Sequence, residues 1–238
     1  MKNFIQFLLE EKTKNTEFKT IFDSLEKKKQ ILFLTTSNRW KPEEKPKTTQ
    51  IAYFIKDNLK NKNLKIIETP SLNIHPCEGN ISSKKGNGCG LKESLLKDKN
   101  KNPSGLHRCW CSLNNKDDEL WKISKELFTS DCVIFFGSVR WGSMNSYYQK
   151  LIERLSWIEN RHTTFGENNV VKNISAGLVI MGHNWNVDQV METQKQVLKF
   201  YGFKIEENLC WNRQWTKDSK EETSKGYKKD NEEFKEII

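Results

Sequence analysis

The sequence predicts an α/β protein built on a doubly wound, five-stranded parallel sheet with helices on both faces. Three observations carry that expectation. Short unbroken apolar runs, QILFLTT, LKII, CVIFFG and AGLVIMG, recur along the chain, and such runs belong to strands buried on both faces, as in parallel sheets. Stretches with helical spacing alternate with these runs, the pattern of helical layers wrapped around a sheet. Three of the runs also lead into small, polar and aromatic residues, LTTSNRW, FFGSVRWGS and MGHNWN. Doubly wound sheets bind ligands beyond the carboxyl ends of their strands, where the strand order reverses.

The elements follow in chain order. Residues 1–29 carry Phe4, Phe7 and Leu8, then Phe18, Ile21, Phe22 and Leu25, at helical spacings; they read as an N-terminal helical arm, either a packing appendage or a dimer contact. The main domain spans residues 30–238. QILFLTT is its first strand, TTQIAYFIKDNLK an amphipathic helix and LKII the second strand. A polar, cysteine-containing insertion occupies about residues 70–116. DDELWKISKELF then places Leu120, Ile123 and Leu127 on one helical face before the third strand, CVIFFG. NSYYQKLIERLSWI puts Tyr147, Leu151, Leu155 and Ile158 on a stripe. After the fourth strand, AGLVIMG, a helix over 187–201 takes Asn186 and Gln189 as its capping box and Gly202 as its left-handed exit. FKIEENLCW supplies the fifth strand and residues 219–238 the last helix.

One domain suits 238 residues of which 35% are hydrophobic, enough for a single large core. Forty Lys and Arg against 31 Asp and Glu leave +9, which favours an anionic partner. The lysines are interspersed with acidic residues, as in KEETSKGYKKDNEEFKE, and no zinc-finger, recognition-helix or RNA-binding signature accompanies them. A nucleic-acid role is therefore not expected. The opening apolar run, FIQFLL, is short for a membrane span or a secretory signal, so the expectation is a cytoplasmic protein with no membrane partner. Six cysteines in that compartment are thiols, metal ligands or redox groups rather than disulfides.

The first strand end brings Ser37 and Arg39 toward Thr48 and Thr49, which open the next helix. Hydroxyls, a guanidinium and helix N-terminal amides suit a phosphate dianion; plain N-capping by Thr48 or Thr49 is the alternative. The absence of GxxxxGK(S/T) disfavours a P-loop nucleoside triphosphatase. At the third strand end Gly137 and Gly142 let backbone approach a flat ligand, and Trp141 offers a stacking plane. Packing is the alternative for Trp141 and for Trp185.

At these residues the sequence resembles the flavodoxin-like NAD(P)H-dependent FMN reductases and oxidoreductases. TSNR followed by TTQIAY is similar to their first-loop pattern GSxR…NTxxLA, and SVRWGSMNSYYQKLIERL to their second loop, PVYWGSMPxxLKxxIDR. The resemblance covers roughly residues 30–238 and departs from the pattern at the insertion WKPEEKPK, at Thr36 in place of glycine and at Arg140 in place of tyrosine. It implies a sheet of order 2-1-3-4-5 and bound FMN. By that likeness Ser37, Arg39, Thr48 and Thr49 hold the FMN phosphate. Ser138, Val139, Arg140, Trp141, Gly142 and Ser143 line the isoalloxazine, and Gly182, His183 and Asn184 close its far side.

The likeness further implies NAD(P)H as cosubstrate, a small-molecule or protein electron acceptor, and a homodimer. FMN carries the redox chemistry, so no catalytic side chain is expected. His183 is placed to donate to a flavin carbonyl or assist proton transfer, and His162 to bond backbone. The second reading is a flavodoxin-like electron carrier without an NAD(P)H site, against which the basic charge counts. A third is a flavin-free scaffold with the phosphate site blocked by residues 40–47.

Within the group, the iron-sulfur flavoproteins are most similar over residues 74–118. Their IxPCxxCxxC motif, followed by glycine and a fourth cysteine, reads IHPCEGNISSKKGNGCG here, with Asn80 and Ser83 at the second and third cysteine positions. A four-iron cluster needs four thiolate-class ligands, so no metal centre is expected. The alternative gathers Cys77, Cys89, His107, Cys109 and Cys111 into a zinc or iron site, with HRCWC extended so that its ligands share a face. Cys132 and Cys210 fall in expected strands and read as small core residues.

Overall fold

The structure, a computed structural model, describes residues 18–39, 43–60, 63–79, 88–183, 185–216 and 224–238. Its strands are β1 (Ile31–Thr35), β2 (Leu64–Glu68), β3 (Cys132–Arg140), β4 (Ser143–Met144), β5 (Ser175–Gly182), β6 (Lys204–Ile205) and β7 (Trp211–Gln214). The α-helices are α1 (Lys19–Leu25), α2 (Lys47–Asn58), α3 (Trp110–Asn114), α4 (Leu120–Leu127), α5 (Ser146–Thr163), α6 (Val187–Phe200) and α7 (Ser224–Ile237). None of them is long and apolar enough to cross a membrane.

β2, β1, β3 and β5 pair in parallel in that order, and β6 and β7 share the fifth position on the outer side of β5. The parallel core thus has the expected 2-1-3-4-5 order. Two differences bring the count to seven strands. β4 folds back on β3 as an antiparallel hairpin, and the fifth strand is split. A 3-10 turn at Glu207–Leu209 interrupts it, and buried Leu209 lies over Gly177, where a Cβ would come within 2.2 Å of the Leu209 carbonyl oxygen. Cys210 consequently sits at the exit of this turn rather than inside a strand.

Every residue of β1 and β5 is buried, as their unbroken apolar runs require. Successive strand side chains point to opposite faces, so two apolar layers form. Ile31, Phe33, Ile134 and Phe136 pack with Phe18, Ile21 and Leu25 beside α1, with Ile51 and Ile55 of α2, and with Phe234 and Ile237 of α7. Leu32, Leu34, Val133 and Phe135 pack with α4, α5 and α6. The C-terminal part of the expected arm therefore belongs to the core; Phe4, Phe7 and Leu8 lie outside the described residues.

On α4, Leu120, Ile123 and Leu127 are all buried, as their spacing predicts. On α5 the stripe is shifted at its start: Tyr148, not Tyr147, is the buried tyrosine, set edge-on to Phe135 at 6.1 Å. Either position lies near the face of Leu151 and Leu155, and the packing of β3 selects the second. Gly202 ends α6 at φ +95° as expected, but Asn186 sits at φ +68° and its side chain makes no capping hydrogen bond among the described residues. The Val187 N–H donates instead to Gln214 Oε1, 3.4 Å away.

The insertion is fastened by a buried guanidinium. Arg154 on α5 donates to Asp118 through Nη1 (2.7 Å) and Nη2 (3.0 Å), to the His75 carbonyl (2.7 Å) and to Ser112 Oγ (3.1 Å), with both charged side chains excluded from solvent. Burial pushes the Asp118 carboxyl up, but the hydrogen bonds and charge of Arg154 outweigh it and hold Asp118 below the usual carboxylate range. Asp118→Ala leaves a buried cation without its partner, and the expected loss is about 3–5 kcal/mol in denaturant unfolding. A depressed folded-state pKa contributes stability that is complete above the unfolded value of about 3.9 and is lost as pH falls through the folded value. The native chain should therefore lose stability more steeply below about pH 4 than Asp118→Ala does; parallel acid limbs would show that the pair is not coupled to folding.

Candidate functional site

The register aligns Thr35 with Phe136 and Ser138 with Met181, so β1, β3 and β5 end at one edge of the sheet. A cavity of about 480 Å³ opens beyond them, in the usual range for small-ligand sites. Ser37, Arg39 and Thr48 line it from the first loop, Ser138, Val139 and Arg140 from the second, and Gly182 and His183 from the third. A neighbouring recess shares Arg39 and Arg140 and adds Trp141. Gly142 and Ser143 form the rest of the second loop without lining either space, and Asn184 lies outside the described residues.

The N-terminus of α2 faces this cavity uncapped. Its N-cap position is Pro46, which has no side-chain acceptor, and the first helical hydrogen bond runs from the Gln50 N–H to the Pro46 carbonyl (2.9 Å). The amides of Lys47, Thr48 and Thr49 therefore have no acceptor among the described residues. Thr48 and Thr49 lie inside the helix, so N-capping does not account for them. Thr48 Oγ1 donates to Ser37 Oγ at 2.9 Å, while Thr49 Oγ1 is buried with no hydrogen-bond partner among the described residues.

The second loop is a two-residue hairpin in which Arg140 pairs with Ser143. Trp141 at φ +51° and Gly142 at φ +71° form its turn, the left-handed geometry that matches the strand twist. Positive φ is costly for an aromatic residue, yet Trp141 is 93% exposed and so has little packing among the described residues to hold it there. Asn145 closes the hairpin: its N–H donates to the Ser138 carbonyl (2.9 Å), its Nδ2 to Thr36 Oγ1 (3.1 Å), and its Oδ1 caps α5 by accepting from the Tyr148 N–H (3.2 Å). The Ser138 hydroxyl is buried without a partner among the described residues.

In the third loop a Cβ on Gly182 would meet Val187 at 2.2 Å and Val139 at 3.1 Å, so only glycine keeps this wall flat. His183 Nδ1 lies 3.1 Å from Asp230 Oδ2, and its carbonyl accepts from the Thr216 N–H (2.7 Å) and Oγ1 (2.9 Å). His162 Nδ1 faces the Ile158 carbonyl at 3.3 Å, on α5 and away from the cavity.

Several contributors escaped the sequence reading. Lys47 also lines the cavity, with Nζ 4.6 Å over the Trp215 ring and donating to the Asp230 carbonyl at 3.3 Å. Burial lowers its pKa, Asp230 opposes that shift and Arg39 reinforces it. Lys47 was readable from its place beside Thr48; Asp230 and Trp215, brought from the far end of the chain, carry no local signal.

The insertion's cysteines are free thiols. Arg154 Nη2 reaches Cys109 Sγ and Cys111 Sγ reaches the Pro76 carbonyl, both at 3.4 Å, and burial pushes the Cys89 and Cys111 thiols up to about 12. His107 is fully buried, Nδ1 at 2.7 Å from Ser124 Oγ, with its pKa lowered to about 3 by burial. HRCWC is not extended as the alternative required, because α3 begins at Trp110. Among the described residues no group of three or more His, Cys, Asp or Glu side chains is disposed to hold a metal ion. A larger groove, about 620 Å³, follows the outer edge of β2 between Tyr53 and Trp121. It holds the Lys65–Glu126 ion pair and lies on the flank of the sheet rather than beyond the strand ends, so it is the weaker candidate.

No protein-family model matches the chain, and no curated protein matches it. Among solved structures it is similar to RosB with a bound 8-demethyl-8-formylriboflavin-5′-phosphate intermediate, at 15% identity and a TM-score of 0.53, over 87% of this chain and 74% of that one. It is also similar to the Trp repressor binding protein from Bacillus subtilis, at 11% identity and a TM-score of 0.50, over 87% and 96% of the two chains. The architecture is a flavodoxin-like α/β fold, and at these identities the likeness is one of fold.

Trp141→Gly should relieve the left-handed strain and raise unfolding stability by about 0.5–1 kcal/mol, measured in denaturant. A loss of stability instead would mean that the indole packs on the body of the protein.

Proposed function

We propose that this chain is an FMN-dependent NAD(P)H oxidoreductase of the flavin or quinone reductase type. The uncapped N-terminus of α2 carries the reading. Three amides without acceptors among the described residues stand beside the Ser37 and Thr48 hydroxyls at the strand-end cavity. Such a cluster suits a phosphate, because the amides and the helix dipole both favour negative charge. RosB, with the same fold, carries a riboflavin-5′-phosphate derivative, the ligand class assigned here to this cavity.

In this reading the residues bind and orient. Ser37, Thr48 and the amides of 47–49 hold the phosphate, and Arg39 adds charge. Thr49, whose hydroxyl is buried, serves through its amide. The bare wall at Gly182 and the side chain of Val139 leave room for a flat ring, with Ser138, Arg140 and His183 at its polar edge. Trp141, Gly142 and Ser143 form the outer lip, where Trp141 offers a plane for the nicotinamide or the acceptor. Asn184, which lies outside the described residues, is assigned to the flavin site by the sequence resemblance alone. Held by these residues, FMN would supply the redox chemistry between NAD(P)H and a small-molecule or protein acceptor. A homodimer that covers Trp141 is the proposed assembly, and the proposed setting is the cytoplasm.

Fluorescence titration and anaerobic spectroscopy test this. The native chain should bind FMN and its bound flavin should bleach on addition of NADPH or NADH. Ser37→Ala combined with Thr48→Val should weaken FMN binding by at least about tenfold, since each lost hydrogen bond to a charged group costs about 1.5–3 kcal/mol. No uptake of FMN by the native chain, or an unchanged affinity in the double variant, would refute the proposed phosphate site.

A further inference from the structure

The last helix reaches the cavity from the opposite end of the chain. It seats Asp230 on the cavity wall at 5% exposure, in the same space as Ser37, Lys47 and Thr48. Asp230 Oδ2 makes no hydrogen bond among the described residues; His183 Nδ1 is 3.1 Å away, at ion-pair distance but without hydrogen-bond alignment. Lys47 bonds the Asp230 backbone carbonyl (3.3 Å) rather than its carboxylate. A buried carboxylate thus shares a cavity whose helix terminus and basic side chains attract an anion. Little solvent intervenes to screen it from a phosphate seated there.

We propose that Asp230 is a specificity-determining residue of this cavity, an internal anion that holds down its affinity for phosphorylated flavin and keeps FMN exchangeable. The proposal rests on the flavin reading above and deepens it: the phosphorylated flavin is a ligand that enters and leaves, rather than a permanently held group. Removing the carboxylate charge then strengthens phosphate binding without changing contacts to the ring. Asp230→Asn keeps the shape of the side chain, and α7 stays anchored through buried Phe234 and Ile237.

The test compares native, Asp230→Asn and Asp230→Ala full-length chains by fluorescence titration with FMN and with riboflavin, by stopped-flow release of FMN, and by melting temperature as a check of folding. The expected result is FMN bound at least tenfold more tightly by both variants, released correspondingly more slowly, with riboflavin affinity within twofold of native. FMN affinity equal to or weaker than native in a folded variant overturns the proposal and leaves the flavin reading standing. Equal tightening of riboflavin also overturns it, because the effect would then be one of shape rather than charge. A native chain that binds neither flavin overturns both.

Discussion

Asn145 is the contact on which the rest of the site depends. It is 5% exposed and joins three elements at once: the end of β1 through Thr36, the end of β3 through the Ser138 carbonyl, and the start of α5 as its N-cap. Thr36 in turn donates from both its N–H and its Oγ1 to the Phe136 carbonyl, each at 2.9 Å. The first and second loops, a hundred residues apart in sequence, are thereby held at fixed separation without a covalent link. A buried polar network of this kind is stiff when satisfied, since any member left unpaired is penalised by desolvation.

The same network explains how the chain carries threonine at a position where the resemblance leads one to expect glycine. The Thr36 hydroxyl donates to the Phe136 carbonyl and accepts from Asn145 Nδ2, and Gly137 beside it has no Cβ, which would otherwise come within 3.0 Å of that hydroxyl and 2.3 Å of Met144 Cε. Charge fastens the insertion in a comparable way: Arg154 grips Asp118 from α5, and Arg108 and Arg161 close on Glu167 at 2.7 and 2.9 Å. Buried guanidiniums can do this because their planar donors meet a carboxylate with two hydrogen bonds.

Much of this was legible in the sequence, for physical reasons. Strands buried on both faces must be apolar without interruption, so β1, β3 and β5 stood out, and the chemistry at their ends could be read in order. Short-range patterns failed where a distant contact decided the outcome. The fifth strand breaks because Leu209 seeks the gap above Gly177. Asn186 abandons its capping role, in a left-handed conformation with the Val187 amide held by Gln214. Tyr148 displaces Tyr147 because Phe135 lies opposite. Asp230 reaches the cavity from a helix whose own pattern shows only alternating charge. Asn145 was hidden for the same reason: an asparagine before a helix announces a cap, but nothing local announces that its other side chain atom ties two loops together.

The proposed flavin site requires the amides at the start of α2 to receive a phosphate. Backbone amide chemical shifts, recorded on the isotope-labelled chain with FMN and with riboflavin, test this most directly. Lys47, Thr48 and Thr49 should show large shifts with FMN and small ones with riboflavin, while residues of the second and third loops respond to both. Shifts confined to the groove between Tyr53 and Trp121, or equal responses of Lys47, Thr48 and Thr49 to the two flavins, would contradict it.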